Sequence, residues 1–495
     1  MIYVSTRDRS RQANAAQAVV QGISREGGLF APLEIPSVSL AEIAAMTGMS
    51  YPERAAFILT PWLECFSGET VLRICRDAYT RFDTPAIAPV ACLSGRRSVL
   101  ELWHGPTLAF KDMALQLLPL LMSESARLTG ETRDILILVA TSGDTGKAAL
   151  EGFRDRPGVK ICVFYPENGV SEAQRLQMVT QEGGNVRAVA VKGNFDDAQT
   201  GVKQIFTDPA RQKELAGYNA VFSSANSINL GRLLPQIAYY FSAYCDMISQ
   251  GQAAIGDPFN ITVPTGNFGS ILAAHYAARM GLPVHRLICA SNSNNVLSDF
   301  IRTGIYDRNR AFHLTTSPSM DILISSNLER LLFELADCDD SRVRELMDEL
   351  KSTGRYALSD GERQKMQQLL WGGWANEDQV LSCIGDTFRQ DRYLIDPHTA
   401  VAFCCADAYR RETGDGLPML IASTASPFKF GRSVLRAIED VPDAMDDFDC
   451  DERLSQLSGR ALPDAIALLR KKPVLHTAVA EKDALWQAVL PLVKG

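Results

Sequence analysis

The sequence predicts an α/β protein with mainly parallel sheets, and three features carry that prediction. From Asp134 onward, short β-branched runs alternate with helical ones: ILILVA, KAALEGF, VKICVFY, SEAQRLQMVTQ, VRAVAV and DDAQTGVKQIF follow one another, as in βαβ units. A second set begins at Leu230, with the helical LGRLLPQIAYYFSAYCDMIS, the strand NITVP, the helix SILAAHYAARM and the strand RLICAS. A further strand, PMLIAS, follows Leu417. The third feature is length, since 495 residues exceed one typical core and call for two or three.

Up to about Arg97 the pattern is mainly helical. PLEIPSVSLAEIAAMT and SYPERAAFILTPWLECF space their apolar residues helically after Ser or Pro starts, which predicts a separate N-terminal domain. Between about Val296 and Ile395 a polar, charged and largely helical stretch, including SSNLERLLFELADCDDSRVRELMDEL, reads as an insertion covering the sheet. No internal repeat or low-complexity segment interrupts the chain.

Composition narrows the function. Hydrophobic residues at 46% and charged residues at 22% suit a soluble globular enzyme. A net charge of −8 without any Lys/Arg-dense run lacks the footprint of a nucleic-acid binder, so small-molecule chemistry is expected. The 11 cysteines include no CxxC pair, and the adjacent Cys404 and Cys405 suit neither ordinary disulfide geometry nor zinc spacing. Reduced thiols, a polar N-terminus and the lack of a spanning apolar run predict a cytoplasmic protein without a membrane partner.

The most informative segment is LWHGPTLAFKDMALQLLPLL, where a Gly-Pro turn leads to Phe110, Lys111 and Asp112 and then to an apolar helix. Most lysines are solvated surface groups; one flanked by aromatic and aliphatic residues at a helix start can be desolvated and reactive. Three further loops share one physical type. Strand ILILVA runs into Ser142, Gly143, Asp144, Thr145 and Gly146 before a helix, so backbone N–H groups and hydroxyls converge on an anion site. The same arrangement recurs at Thr265, Gly266, Asn267, Phe268, Gly269 and Ser270, where glycines allow close backbone approach to a phosphate. Asn226, Ser227, Asn229 and Arg232 add amide, hydroxyl and guanidinium donors before a long helix. Singly, each loop also reads as an ordinary turn or N-cap. Together with the lysine they match a substrate carrying a carboxylate and a phosphate beside a phosphorylated cofactor.

Other motifs fail on spacing. SGDTGKAA has Thr141 where a P-loop needs its first Gly and Ala148 where it needs the Mg²⁺ hydroxyl; no GxGxxG follows a strand, and the six histidines show no metal-ligand spacing. His104 and His398 therefore read as structural.

On these motifs the sequence resembles the long bacterial threonine synthases, within the tryptophan-synthase-like fold type II pyridoxal-phosphate (PLP) enzymes. The likeness is carried by YVSTRD with GGLFAP, HGPTLAFKD, ATSGDTGKAA, SANSINLGR with PTGNFG, and TTSPSMDILISSNLERLLFEL with STASPFKF, in that order over nearly the whole chain. It implies two open α/β sheet domains plus the helical N-terminal domain: residues 1–97; a large PLP-binding domain from 98–132 and 225–495, with the insertion at 296–395; and a smaller α/β domain at 133–224.

The resemblance also implies roles. Lys111 would hold PLP as a Schiff base and shuttle protons, with Phe110 beside the ring. Gly266, Asn267, Phe268 and Gly269 would hold the cofactor phosphate, and Thr424 would meet the pyridine nitrogen. Ser142, Gly143 and Thr145 would face the substrate carboxylate. Asn226, Ser227, Arg232 and Lys429 would cradle the substrate phosphate. Asp144 stands where other branches carry Asn, so near the phenolic edge of PLP it must either share a proton or point away. Ser426 stands where many members have His, so no role passes to it. The implied reaction is O-phospho-L-homoserine and water to L-threonine and phosphate, by a monomer or homodimer. The rivals are a phospho-lyase releasing 2-oxobutyrate on the same scaffold, and a silent PLP-binding protein, which would have little reason to keep Lys111.

Overall fold

Near-continuous apolar strands, flanked by helices on both faces, assemble two parallel sheets in the computed structural model. It describes residues 1–494 except Ser142, Gly169 and Ser171, and the side chain of Asp196. The larger sheet has six strands in the order Leu370–Trp374, Val284–Ser291, Phe259–Pro264, Met419–Ser423, Arg97–Glu101 and Val90–Leu93, all parallel except the last. The smaller has five parallel strands, ordered Ala478–Glu481, Val186–Lys192, Val159–Pro166, Asp134–Ala140 and Ala220–Ser223. Phe259–Pro264 and Met419–Ser423 are buried along their whole length, as central strands must be.

Several elements differ from the sequence reading. The first 32 residues include an antiparallel sheet of Asp8–Ala13, Tyr3–Ser5 and Phe30–Pro32, two of whose strands are only three residues long and too short for a legible period. The N-terminal helices do not enclose a core of their own. Their apolar residues join those of Pro235–Ser249 and Gly269–Met280: Trp62 stacks on Tyr276 with ring centroids 5.6 Å apart, and Arg54 pairs with Asp246 at 2.6 Å.

Val90–Leu93, inside the 1–97 stretch, pairs with Arg97–Glu101 and closes one edge of the large sheet. The stretch read as a largely helical insertion contributes the opposite edge, Leu370–Trp374. Its LWGGW sequence is glycine-rich because the helix Val296–Thr303 packs on it: a Cβ at Gly372 would lie 2.9 Å from the Ser298 carbonyl oxygen. The chain's last strand and helix, Ala478–Glu481 and Leu485–Lys494, pack on the smaller sheet, where Leu485, Trp486 and Val489 complete the apolar cluster; residues 478–494 thus leave the body formed by the rest of 225–495. Among the described residues no helix is long and apolar enough to cross a membrane.

Candidate active site

Five loops leave the carboxyl ends of parallel strands, the edge at which open α/β sheets present their ligand sites. They run from Glu101 to Lys111, Ala140 to Asp144, Ser223 to Leu230, Pro264 to Gly269 and Ser423 to Lys429. Short bonds tie them together. Phe110 N–H donates to the Thr424 carbonyl at 2.8 Å, and Ser426 N–H to the Leu108 carbonyl at 3.0 Å. Asp112 folds the lysine loop by accepting from the Thr107 N–H at 2.7 Å and its hydroxyl at 2.8 Å.

Lys111 opens a helix and is 8% exposed. Its Nζ donates to Ser319 Oγ at 3.2 Å and lies 3.9 Å from Asp144 Oδ2, over the Phe110 ring. Burial lowers its basicity; the carboxylate of Asp144 opposes that, the charges of Lys429 and Arg232 reinforce it, and the amine comes down to about 8. A free-base amine is therefore accessible near neutral pH.

Asp144 faces both lysines, Lys111 and Lys429. Burial would raise its carboxyl, but Lys429, 2.6 Å away, and Lys111 outweigh burial and hold it well below the ordinary carboxylate range. It is an ionised partner of two lysines. Lys429 also donates to the Thr107 carbonyl at 3.0 Å; among the described residues no hydrogen bond joins it to Asn226, Ser227 or Arg232.

Gly143 sits at φ 145°, a conformation favouring glycine, and a Cβ there would strike the Gln174 side chain at 2.5 Å. Its N–H and that of Gly146 both donate to Thr141 Oγ1 at 3.0 Å, and Thr145 lies half-buried on the following turn. Ser142 lies outside the described residues.

At the second loop, Phe268 adopts the left-handed conformation (φ 61°) at the start of the helix Gly269–Met280, a strain typical of ligand clamps. Ser325 Oγ donates to the Gly266 carbonyl at 2.7 Å, Asn327 Nδ2 to the Asn267 carbonyl at 3.0 Å, and Ser326 Oγ to Asn267 Oδ1 at 3.2 Å.

At the third, Asn226 is exposed and Ser227 half-buried, whereas Arg232 is buried, donates one Nη to the Ala225 carbonyl at 3.0 Å, and leaves Nε unpartnered. Asn229 is committed to structure: it caps the helix Leu230–Leu233 and donates to the carbonyls of Val19 and Ser224. His104 lies between Asp83 and Glu101; burial would lower it, but the two carboxylates carry it up to about 9.

Sequence reasoning assigned no role to Ser319, Ser325, Ser326 or Asn327, although TTSPSMDILISSNLERLLFEL carries all four. They sit outside any strand-loop-helix pattern, and only the folded chain brings them over the Gly266–Gly269 loop, where a Cβ on Gly266 would lie 2.8 Å from the Ser319 carbonyl.

These residues fit PLP. A desolvated amine is present, the Thr424 hydroxyl has no protein hydrogen bond among the described residues, and the orphan Nε of Arg232 requires an acceptor. A Cβ on Gly269 would lie 3.6 Å from Asn327 Nδ2 and Gln236 Nε2, in ordinary van der Waals contact, so the fold itself does not exclude a Cβ there. Gly269→Val should accordingly leave the melting temperature of the cofactor-free protein within about 2 °C while weakening PLP affinity tenfold or more. A large loss of stability with normal PLP affinity would make the loop an ordinary helix start.

Three family models match the chain: "Threonine synthase N terminus" at residues 2–79, "Pyridoxal-phosphate dependent enzyme" at 99–359 and "Threonine synthase, C-terminal" at 399–488. "Threonine synthase-like 1" of Homo sapiens is 42% identical over 435 residues, covering 86% of this chain but only 58% of the human protein. The threonine synthase of Pseudomonas aeruginosa is 39% identical over 438 residues, covering 88% of this chain and 90% of that one. Among solved structures, PLP-bound threonine synthase from Brucella melitensis superposes with a TM-score of 0.88 at 36% identity, covering 100% of this chain and 99% of that one. The yeast threonine synthase superposes with a TM-score of 0.89 at 30% identity and the same coverage.

Proposed function

The chain belongs to the threonine synthase family of PLP-dependent enzymes, and from that premise we propose that it converts O-phospho-L-homoserine and water into L-threonine and phosphate. The observation that carries the reading is the buried Lys111 amine, 3.2 Å from Ser319 Oγ and 3.9 Å from Asp144 Oδ2 in the loop cluster, where burial lowers its basicity.

When bound, PLP supplies an electron sink for the charge left by proton loss next to the amino group. The chain's own residues do the rest. Lys111 takes the substrate's α-proton and holds it on Nζ, close to the Ser319 hydroxyl. Loss of a β-proton then lets the γ C–O bond break with its electron pair leaving on phosphate. Water adds at the β-carbon, and protons return to the α- and γ-carbons. Phe110 would pack beside the ring, Thr424 would offer its hydroxyl to the ring nitrogen, and Gly266, Asn267, Phe268 and Gly269 would receive the cofactor phosphate at a helix N-terminus. Asp144, kept ionised, would face the phenolic edge. Ser142, Gly143 and Thr145 orient the substrate carboxylate. Asn226, Ser227 and Arg232 take its phosphate, with Lys429 adding its charge from the Asp144 side.

All 11 cysteines are free, which supports a reducing cytoplasmic setting. Incubating the PLP-loaded protein with O-phospho-L-homoserine should yield threonine and phosphate in equal amounts. 2-Oxobutyrate and ammonia as the main products would instead assign the lyase reaction.

A further inference from the structure

We propose that Asp396 and His398 form a positioning pair that, through the backbone N–H of Ser319, seats the Ser319 hydroxyl between Lys111 and Asp144. The proposal rests on the reading of Lys111 as the reactive amine. Asp396 caps the helix Pro397–Thr413 and is fully buried; one oxygen accepts from the Thr399 N–H and hydroxyl, the other from the His398 N–H at 3.0 Å and from its Nδ1 at 2.6 Å. His398 Nε2 accepts from the Ser319 N–H at 3.2 Å, which places the imidazole proton on Nδ1. The Phe430 ring meets the imidazole edge-on at 4.9 Å.

A helix cap needs the Asp396 carboxylate and not the imidazole. The histidine reaches out of the helix to a loop residue, and among the described residues that residue carries the one hydroxyl hydrogen-bonded to the Lys111 amine. Ser319 Oγ accepts from Lys111 at 3.2 Å and donates to Asp144 Oδ2 at 3.4 Å, filling a Lys111–Asp144 separation of 3.9 Å. Asn292 braces the other side of the same turn, donating to Ser317 Oγ at 2.9 Å and Asp321 Oδ1 at 2.7 Å. With the turn held on both sides, the Ser319 hydroxyl stays within hydrogen-bond reach of Lys111 and Asp144 and can orient the amine's proton and lone pair.

The test is a double-mutant cycle on the PLP-loaded protein. Ser319→Ala and His398→Leu should each lower kcat about 10- to 100-fold, with KM for O-phospho-L-homoserine within about twofold, and should displace by the same amount the pH at which the bound cofactor's visible absorption changes. The double variant should be no worse than Ser319→Ala alone. His398→Gln, whose amide oxygen reaches the position of Nε2, should recover kcat to within about threefold, whereas the shorter His398→Asn should not. If His398→Leu fails to accumulate, the Gln and Asn variants carry the comparison. Losses that multiply in the double variant, a lowered melting temperature with an unaltered absorption titration, or no recovery with Gln would overturn the proposal. The absorption titration uses no amino-acid substrate, so it judges the pair even if O-phospho-L-homoserine proves not to be the substrate.

Discussion

Lys111→Ala abolishes turnover and the visible absorption of the PLP-loaded protein. A positioned general base is worth about 10²–10⁴-fold, and loss of the covalent anchor for the cofactor adds to it, so kcat should fall by at least ~10⁴-fold. Borohydride reduction of the wild-type protein followed by peptide mapping should label Lys111. The rival is specific: Lys429 is a second buried amine on the same carboxylate, and label on Lys429 would move the anchor. The acid–base behaviour gives a further signature. Because the Lys111 amine is brought down to about 8, its neutral fraction grows as pH rises. Covalent capture of PLP by cofactor-free protein should therefore quicken from pH 6 and level off above about pH 8; an amine at the ordinary lysine value would still be accelerating near pH 10.

Arg232→Leu cuts kcat/KM for O-phospho-L-homoserine by roughly 30-fold to several thousand-fold, the range expected when one partner of a buried charge pair costing about 2–5 kcal/mol is removed. Among the described residues Arg232 is buried without a carboxylate partner, and burial brings its guanidinium down to about 10. A cation held that way is costly to the folded protein, and leucine relieves the cost; the melting temperature should stay the same or rise. PLP content should stay at the wild-type level. Since the Arg232 charge helps depress Lys111, the variant's lysine should titrate at higher pH. Full activity on the phosphorylated substrate, or loss of PLP along with activity, would remove Arg232 from the substrate-phosphate site.

Legibility in the sequence tracked local chemistry. The loops around Gly143 and Gly269 could be read because a strand, a glycine-bearing turn and a helix follow one another within about a dozen residues. Lys111 could be singled out by its apolar flanks, but its lowered basicity comes first from burial in the folded chain, which Asp144, 33 positions on, opposes and Lys429, 318 positions on, reinforces. Ser319 carries no local signal: a hydroxyl in a short 3-10 turn meets Lys111, more than 200 positions earlier in the chain, only in the folded protein, where its N–H also donates to His398. Asn229 misled in the opposite direction, since an amide before a helix looks like a ligand donor and is here consumed by capping and two carbonyls. Tyr3–Ser5 and Leu370–Trp374 escape a sequence reading because their pairing partners, and not their own periodicity, make them strands.

The most direct test of the central claim, a Lys111-anchored PLP site that takes a phosphorylated amino acid, is the absorption spectrum of the PLP-loaded protein before and after O-phospho-L-homoserine. The account predicts a visible band in the resting protein that is displaced or bleached by O-phospho-L-homoserine and returns as the substrate is used up, with L-homoserine far less effective at equal concentration. A protein that takes up no visible band with PLP, or whose band is unmoved by saturating O-phospho-L-homoserine, would contradict it.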